Sequence, residues 1–302
     1  MLAPLALGLL FFVYSAVSGI IAINTTKIPK DFKKVSLKIS NYEIKQISTS
    51  GDQVEWILKS SHAYASSDES KAKIIEPYLI YYQAGKEKFK IRSKVAYLNK
   101  VDQEVLLING VTLDSADGKY SIQAGTLKFA ESNKFLNLED NWTLVTDDGS
   151  TVKGNSGLVS KDFKSITSIN DASLTKKDGD SSIVITGQKI ELQSESDTPI
   201  IASNSAVLHM SSTQKLYANL IRIKKNGYVY ASSNVRVVTP KMICQSQTLE
   251  VIPKKENKKP KTAIFKGNPH ITQNDHTIYA DLITYDFATE AAAFEGHVHS
   301  AE

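Results

Sequence analysis

Past residue 50 the chain repeats itself at a spacing too long for a coiled coil and too regular for chance. The recurring unit begins apolar-x-small-x-x-apolar-x-apolar. It reads Leu58/Ser60/Ala63/Ala65, then Ile91/Ser93/Ala96/Leu98, Ile122/Ala124/Leu127/Phe129 and Val152/Gly154/Gly157/Val159. It returns as Ile185/Gly187/Ile190/Leu192, Leu216/Ala218/Ile221/Ile223, Cys244/Ser246/Leu249/Val251 and Ile278/Ala280/Ile283/Tyr285. Successive starts lie 28 to 34 residues apart. A self-similar period in this range marks a stack of supersecondary units, each burying its apolar edge against its neighbours.

Each unit closes with a turn-type residue followed by apolar-x-apolar: Pro77-Tyr78-x-Ile80, Gly110-Val111-x-Leu113, Asn141-Trp142-x-Leu144, Asp171-Ala172-x-Leu174, Ser205-Ala206-x-Leu208, Asn234-Val235-x-Val237, Asn268-Pro269-x-Ile271 and a degenerate His297-Val298-x-Ser300. Alternation at period two marks strands with one buried face. The extra residue after the small position shifts that alternation by one, as a bulge or bend does. Asp117-Gly118, the Asp147-Asp148-Gly149 run and Asn226-Gly227 are hairpin signals. Helical periodicity is not convincing anywhere after residue 40. The expected fold is all-β: eight repeats of two short strands, about sixteen antiparallel strands in an elongated stack.

Composition narrows the function classes. A formal charge of +4 over 302 residues is too small to argue for nucleic acid, and 41% apolar residues exclude dominant disorder. A single cysteine, Cys244, excludes an intramolecular disulfide framework or a multi-thiolate zinc site, and its apolar repeat position predicts a buried inert thiol. Nucleotide, dinucleotide and hydrolase fingerprints are absent, so no cofactor is expected. The pairs Glu139/Asp140 and Asp147/Asp148 flank turn signals and read as solvated loops. His297-x-His299 would put two imidazoles on one strand face, with His270, His276, Asp281 and Asp286 nearby. An exposed polar end strand is the simpler reading there, and no metal site is assigned.

Leu2 to Ile23 is twenty-two residues without a formal charge, enough for one helical membrane span of about 20 residues. With no basic start and no clear cleavage site, it reads as an uncleaved anchor over residues 1–24. Lys27, Lys30, Lys33, Lys34 and Lys38 follow the span. By the positive-inside tendency they favour a cytoplasmic C-terminal side, yet long domains translocate largely regardless of charge. Charge alone leaves the side undecided. Residues 25–50 form a juxtamembrane linker and first strand. Lys254, Lys255, Lys258, Lys259 and Lys261 lie in a solvated loop, with anionic lipid phosphate as the sharper alternative.

The start of the chain, with Trp56-Ile-Leu-Lys-Ser-Ser-His-Ala-Tyr, Ile91-Arg-Ser-Lys-Val-Ala-Tyr and Ile108-Asn-Gly-Val-Thr-Leu, resembles LptC, the anchored periplasmic component of lipopolysaccharide transport. Tyr279-Ala-Asp-Leu-Ile-Thr-Tyr-Asp and Phe294-Glu-Gly-His-Val are similar to the OstA/LptA repeat, with His297 where that repeat carries Asn and Pro269 where it carries Val. The resemblance implies a folded-over β-jellyroll, or β-taco, with an LptC-like half over residues 51–175 and an LptA/OstA-like half over 176–302. It implies a non-enzymatic carrier in the periplasm, single-pass in the inner membrane. The carrier takes lipopolysaccharide from the ABC transporter of the Lpt system at its N-terminal edge and hands it to an LptA-like or outer-membrane LptD-like protein at its C-terminal edge.

The lipid-binding trough would then be lined by Ile122, Leu127, Trp142, Leu144, Ile185, Ile190, Leu216, Ile221, Val235, Val237, Ile278 and Ile283. The C-terminal docking edge would be Ile278, Ala280, Ile283, Tyr285, Phe294, Gly296 and Val298, the last unit running to within a few residues of Glu302 and leaving an open strand edge. Two rivals come from other classes. The same residues could pack as a closed core in an anchored structural or adhesion β-solenoid without lipid cargo. A carbohydrate-active β-repeat enzyme would need a ladder of carboxylates on one face, which the repeat does not show.

Overall fold

A computed structural model describes residues 37–47, 53–130, 132–178, 181–211, 213–254 and 260–301. The expected anchor, four of the lysines after it, the turn-side part of the first linker and most of the 254–261 lysine run lie outside these residues. Among the described residues no helix is long and apolar enough to cross a membrane.

The described residues form one antiparallel sheet of twenty-four strands. They are best counted as rungs. Ten rungs are unbroken strands: Leu37–Ile47, Val54–Ala65, Glu104–Ser115, Tyr120–Ala130, Ser165–Asp178, Ser181–Gln193, Ile200–His209, Lys215–Ile223, Val229–Val238 and Ile243–Pro253. Seven more are split at their midpoint: Lys71–Ile75 with Tyr78–Gln83, Lys86–Arg92 with Val95–Asn99, Phe135–Glu139 with Trp142–Thr146, and Thr151–Gly154 with Ser156–Ser160. The last three are Pro260–Lys266 with His270–Gln273, His276–Tyr279 with Leu282–Asp286, and Ala291–Glu295 with His299–Ala301. The sixteen rungs from Val54 onward are the sixteen repeat halves expected from sequence, and Leu37–Ile47 is a seventeenth.

The turn-type residues of the repeat sit in the middle of rungs and fold them over. Six rungs carry two consecutive left-handed residues at this point: Asn109-Gly110, Asp140-Asn141, Asn170-Asp171, Asn204-Ser205, Ser233-Asn234 and Gly267-Asn268, with φ between 53° and 80°. The ladder runs past them. Ile108 pairs with Thr126 and Val111 with Ala124, so two residues oppose the single Gly125. Likewise Ser232 pairs with Thr248 and Val235 with Ser246. Each is a bulge that adds a residue and bends the strand, and Asn, Asp and Gly predominate because they tolerate φ > 0 best. The small residue of the alternate rung faces the bulge. A Cβ on Gly125 would lie 2.5 Å from Cβ of Asp140. The predicted Gly turns do connect rungs: Gly118, Gly149 and Gly227 all have positive φ, and each N–H donates to the carbonyl three residues back.

The column of bends makes one closed edge, and every rung presents one half to each of two facing sheets. Apolar residues alternate inward from both, forming one continuous buried cluster from Tyr42 to Ile283. The ladder is not interrupted near residues 175–176, which lie inside the strand Ser165–Asp178.

Candidate functional site: the apolar interior and its mouth

The interior is bounded differently on its two sides. Along the bend the two faces are joined by the backbone of every rung. Along the opposite side, the mouth, the described residues of the hairpin connections of one face meet those of the other through side chains alone.

Of the twelve residues expected to line a trough, Ile122, Leu127, Trp142, Leu144, Ile185, Ile190, Leu216, Ile221, Val235, Val237 and Ile283 belong to the buried cluster. Ile278 is half-buried and lies outside it. Trp142 crosses from one face to the other just inside the bend, its indole resting on Gly157. The faces pack together over this length. Between the faces lies a small cavity of about 30 Å3, room for a water or two.

The mouth of the first half is shut by aromatic rings, which the repeat pattern did not reveal. Phe129 and Phe163 come from one lip, and Trp56, Tyr81, Phe89 and Tyr120 from the other. Phe163 stacks on Tyr120 with centroids 4.7 Å apart and meets Phe89 edge-on at 6.0 Å. Phe129 meets Trp56 at 6.1 Å and Tyr81 at 5.8 Å. Lys161, only 9% exposed, lays its ammonium 4.6 Å from the Phe129 centroid and donates to the Ala130 carbonyl at 3.0 Å. The available signal was an apolar residue inside a hairpin connection, such as Phe163 in Lys161-Asp162-Phe163-Lys164.

In the second half the lips carry Met210, Gln214, Thr239 and Met242 opposite Val251, Ala263, Tyr285 and Phe287, around the cavity just described. Cys244 lines it from below, buried as expected, and burial pushes its thiol up, so it stays protonated at neutral pH. Lys241 and Glu290, from connections on opposite lips, pair at 3.1 Å.

Among the described residues, three polar atoms buried in the core have no hydrogen-bond partner: the Tyr42 hydroxyl and the Trp56 and Trp142 indole nitrogens. Each such group costs about 1–3 kcal/mol. Burial also raises the Tyr42 phenol, with Glu69 adding to the shift.

The two ends of the sheet differ from the expectation. Ile278, Ala280, Ile283 and Tyr285 belong to the penultimate rung, which is laddered on both sides. Among the described residues the outer rung, Ala291–Glu295 with His299–Ala301, carries the unpaired edge, so only Phe294, Gly296 and Val298 of the expected docking residues lie on it. At the other end, among the described residues, Leu37–Ile47 pairs on one side only. Leu37, Ile47 and Val298 are three of only six large apolar residues exposed among the described residues, so exposed apolar surface concentrates at the two edges.

The histidines do not converge. His297 sits at the last bend, where the Asp281 carboxylate accepts its backbone N–H at 3.1 Å and lies 2.9 Å from its Nδ1. That contact holds the Asp281 carboxyl below the usual carboxylate range. His299 instead stacks on Tyr279 at 4.9 Å, with His270 on the same ring at 5.1 Å. Among the described residues no three potential ligands gather as a metal site would need.

A family description, lipopolysaccharide assembly, LptC-related, matches residues 4–161. No curated protein sequence matches the chain closely enough to count as a relative. The match ends at the turn that carries Lys161, while the same sheet continues to Ala301. An all-β chain folded over an apolar interior, matched across more than half its length, belongs to the LptC-related family of lipopolysaccharide-assembly proteins.

Proposed function

We propose that this protein is a lipid carrier of the cell envelope, anchored in the inner membrane by Leu2–Ile23 with its sheet in the periplasm. Its apolar interior takes the acyl chains of lipopolysaccharide. The observation that carries this reading is the asymmetry between bend and mouth. Parting the mouth breaks side-chain contacts and leaves every ladder hydrogen bond in place, so the faces can splay about the bulge column and admit chains. Acyl chains offer non-directional burial worth about 25 cal/mol per Å2, which suits cargo that must slide. Splaying would also bring the Tyr42 hydroxyl and Trp56 indole to the ester and amide carbonyls of a bound lipid.

The open edges would dock neighbours by strand addition. Leu37–Ile47 would receive cargo from the inner-membrane ABC transporter. The rung Ala291–Ala301 would pass it to an LptA-like or LptD-like protein, continuing an OstA-like half. The sequence carries no nucleotide motif, so the energy comes from the transporter.

The packed interior favours a second reading, a scaffold whose faces never part. Binding separates the two. Delipidated full-length protein should take up radiolabelled lipopolysaccharide saturably and ignore the same molecule stripped of its acyl chains. Equal uptake of both forms, or of neither, would leave the scaffold.

A further inference from the structure

The two halves of the mouth are closed by unlike means. In the first half, six rings interlock across the lips and a nearly buried lysine donates to a backbone carbonyl beneath them. Opening there requires separating the stacked rings and drawing the Lys161 ammonium off the Tyr81 face on the other lip, 5.2 Å from its centroid. In the second half the lips meet through Met210 and Met242 on one side and Tyr285 and Phe287 on the other, above a cavity that is otherwise apolar apart from Gln214 and Thr239. Across the outside of this stretch runs one ion pair, Lys241 to Glu290, with side chains 75% and 67% exposed.

We infer that the methionine-lined stretch is a lateral portal through which a single alkyl chain enters the interior, and that Lys241–Glu290 is its latch. The inference rests on the carrier reading above and adds where the chain enters and what holds the entrance shut. Methionine is unbranched and has three rotatable bonds, so it can swing aside and refill a gap with little strain. The cavity selects an alkyl chain because it offers almost nothing to a polar guest. A peptide would bring backbone N–H and C=O groups that these walls cannot pair. The latch is weak by construction: an exposed pair changes an opening equilibrium by at most about fivefold, and salt screens it. It sets the rate of exchange and leaves the depth of binding to the interior.

Stopped-flow fluorescence tests this with the full-length protein in amphipol and 11-(dansylamino)undecanoic acid as the probe, with amphipol alone subtracted. Lys241→Glu and Glu290→Lys should each raise the association and dissociation rate constants together, by about two- to fivefold, with the dissociation constant changed less than about twofold. The double swap Lys241→Glu/Glu290→Lys should return both rates to near wild type, which a folding defect would not do. Met242→Trp, which plugs the portal, should slow both rates. Lys128→Glu, which breaks an outward pair with Glu104 in the first half, should move neither. Rates that are the same in every variant, with saturable binding intact, would overturn the portal and leave the carrier. Failure of the wild-type protein to bind the probe at all would overturn both.

Discussion

Gly157 lies directly beneath the indole of Trp142: a Cβ at 157 would come 2.4 Å from Cε2 of that ring. The contact joins the two faces just inside the bend and fixes how closely they approach. Gly157→Ala should therefore cost about 1–3 kcal/mol, the range for overpacking a filled core. A urea midpoint within error of wild type would show that the faces yield at this point.

Phe163 has φ near +60° although it is neither Gly nor Asn. Its ring closes the mouth by stacking on Tyr120, and the backbone strain is offset by that packing. Phe163→Ala should cost about 3–5 kcal/mol as the ring is lost. Phe163→Gly should cost less than Phe163→Ala, because glycine removes the strain that alanine retains. Chemical denaturation of the pair reads the order directly, and the reverse order would contradict the strained conformation.

Several hairpin connections are pinned by carboxylates that must be ionised. Ser66 and Ser70 donate to Asp68 and hold its carboxyl down to about 2. Thr146 and Ser150 likewise hold Asp148 low, and Ser115 and Lys119 hold Asp117 low. A carboxyl lower in the folded than in the unfolded chain stabilises above the unfolded value and loses that contribution as pH falls through the folded one. Stability should thus be flat above about pH 5 and decline from about pH 4 toward pH 2. Asp68→Asn and Asp148→Asn should each flatten part of that decline in urea midpoints measured against pH. Curves parallel to wild type would remove these turns from the account.

Cys244 reports on the mouth without any lipid. It is 1% exposed and lines the cavity under Met242. Alkylation by iodoacetamide at neutral pH should be slow in the native protein and several-fold faster in Lys241→Glu. Unchanged labelling in that variant would show that the ion pair does not restrain the lips.

Much of this was legible in the residues, and what escaped has a physical reason. The repeat gave the rungs because each bend demands a small or φ-tolerant residue at a fixed offset from inward apolar positions, as at Ala124, which pairs with Val111 beside the Asn109-Gly110 bend. The bend could not be told from a turn in the sequence because Asn, Gly and Ser serve both geometries. Only the ladder continuing past Asn109-Gly110 distinguishes them. The buried lining was foreseen at Leu127 and Ile221, where alternation alone decides, and less well at Ile278, near the end of the stack. The mouth was missed because Phe163 with Tyr120, or Lys241 with Glu290, meet across two faces from connections 43 and 49 residues apart, a relationship that no local period encodes.

The most direct test of the carrier account is site-specific photocrosslinking in cells that make lipopolysaccharide. A diazirine residue replaces Ile221, which is fully buried between the faces, or Arg222, its exposed neighbour on the same strand. The account predicts a lipopolysaccharide adduct at Ile221 and none at Arg222. Folded protein with no adduct at Ile221, or with equal adducts at both positions, would contradict it.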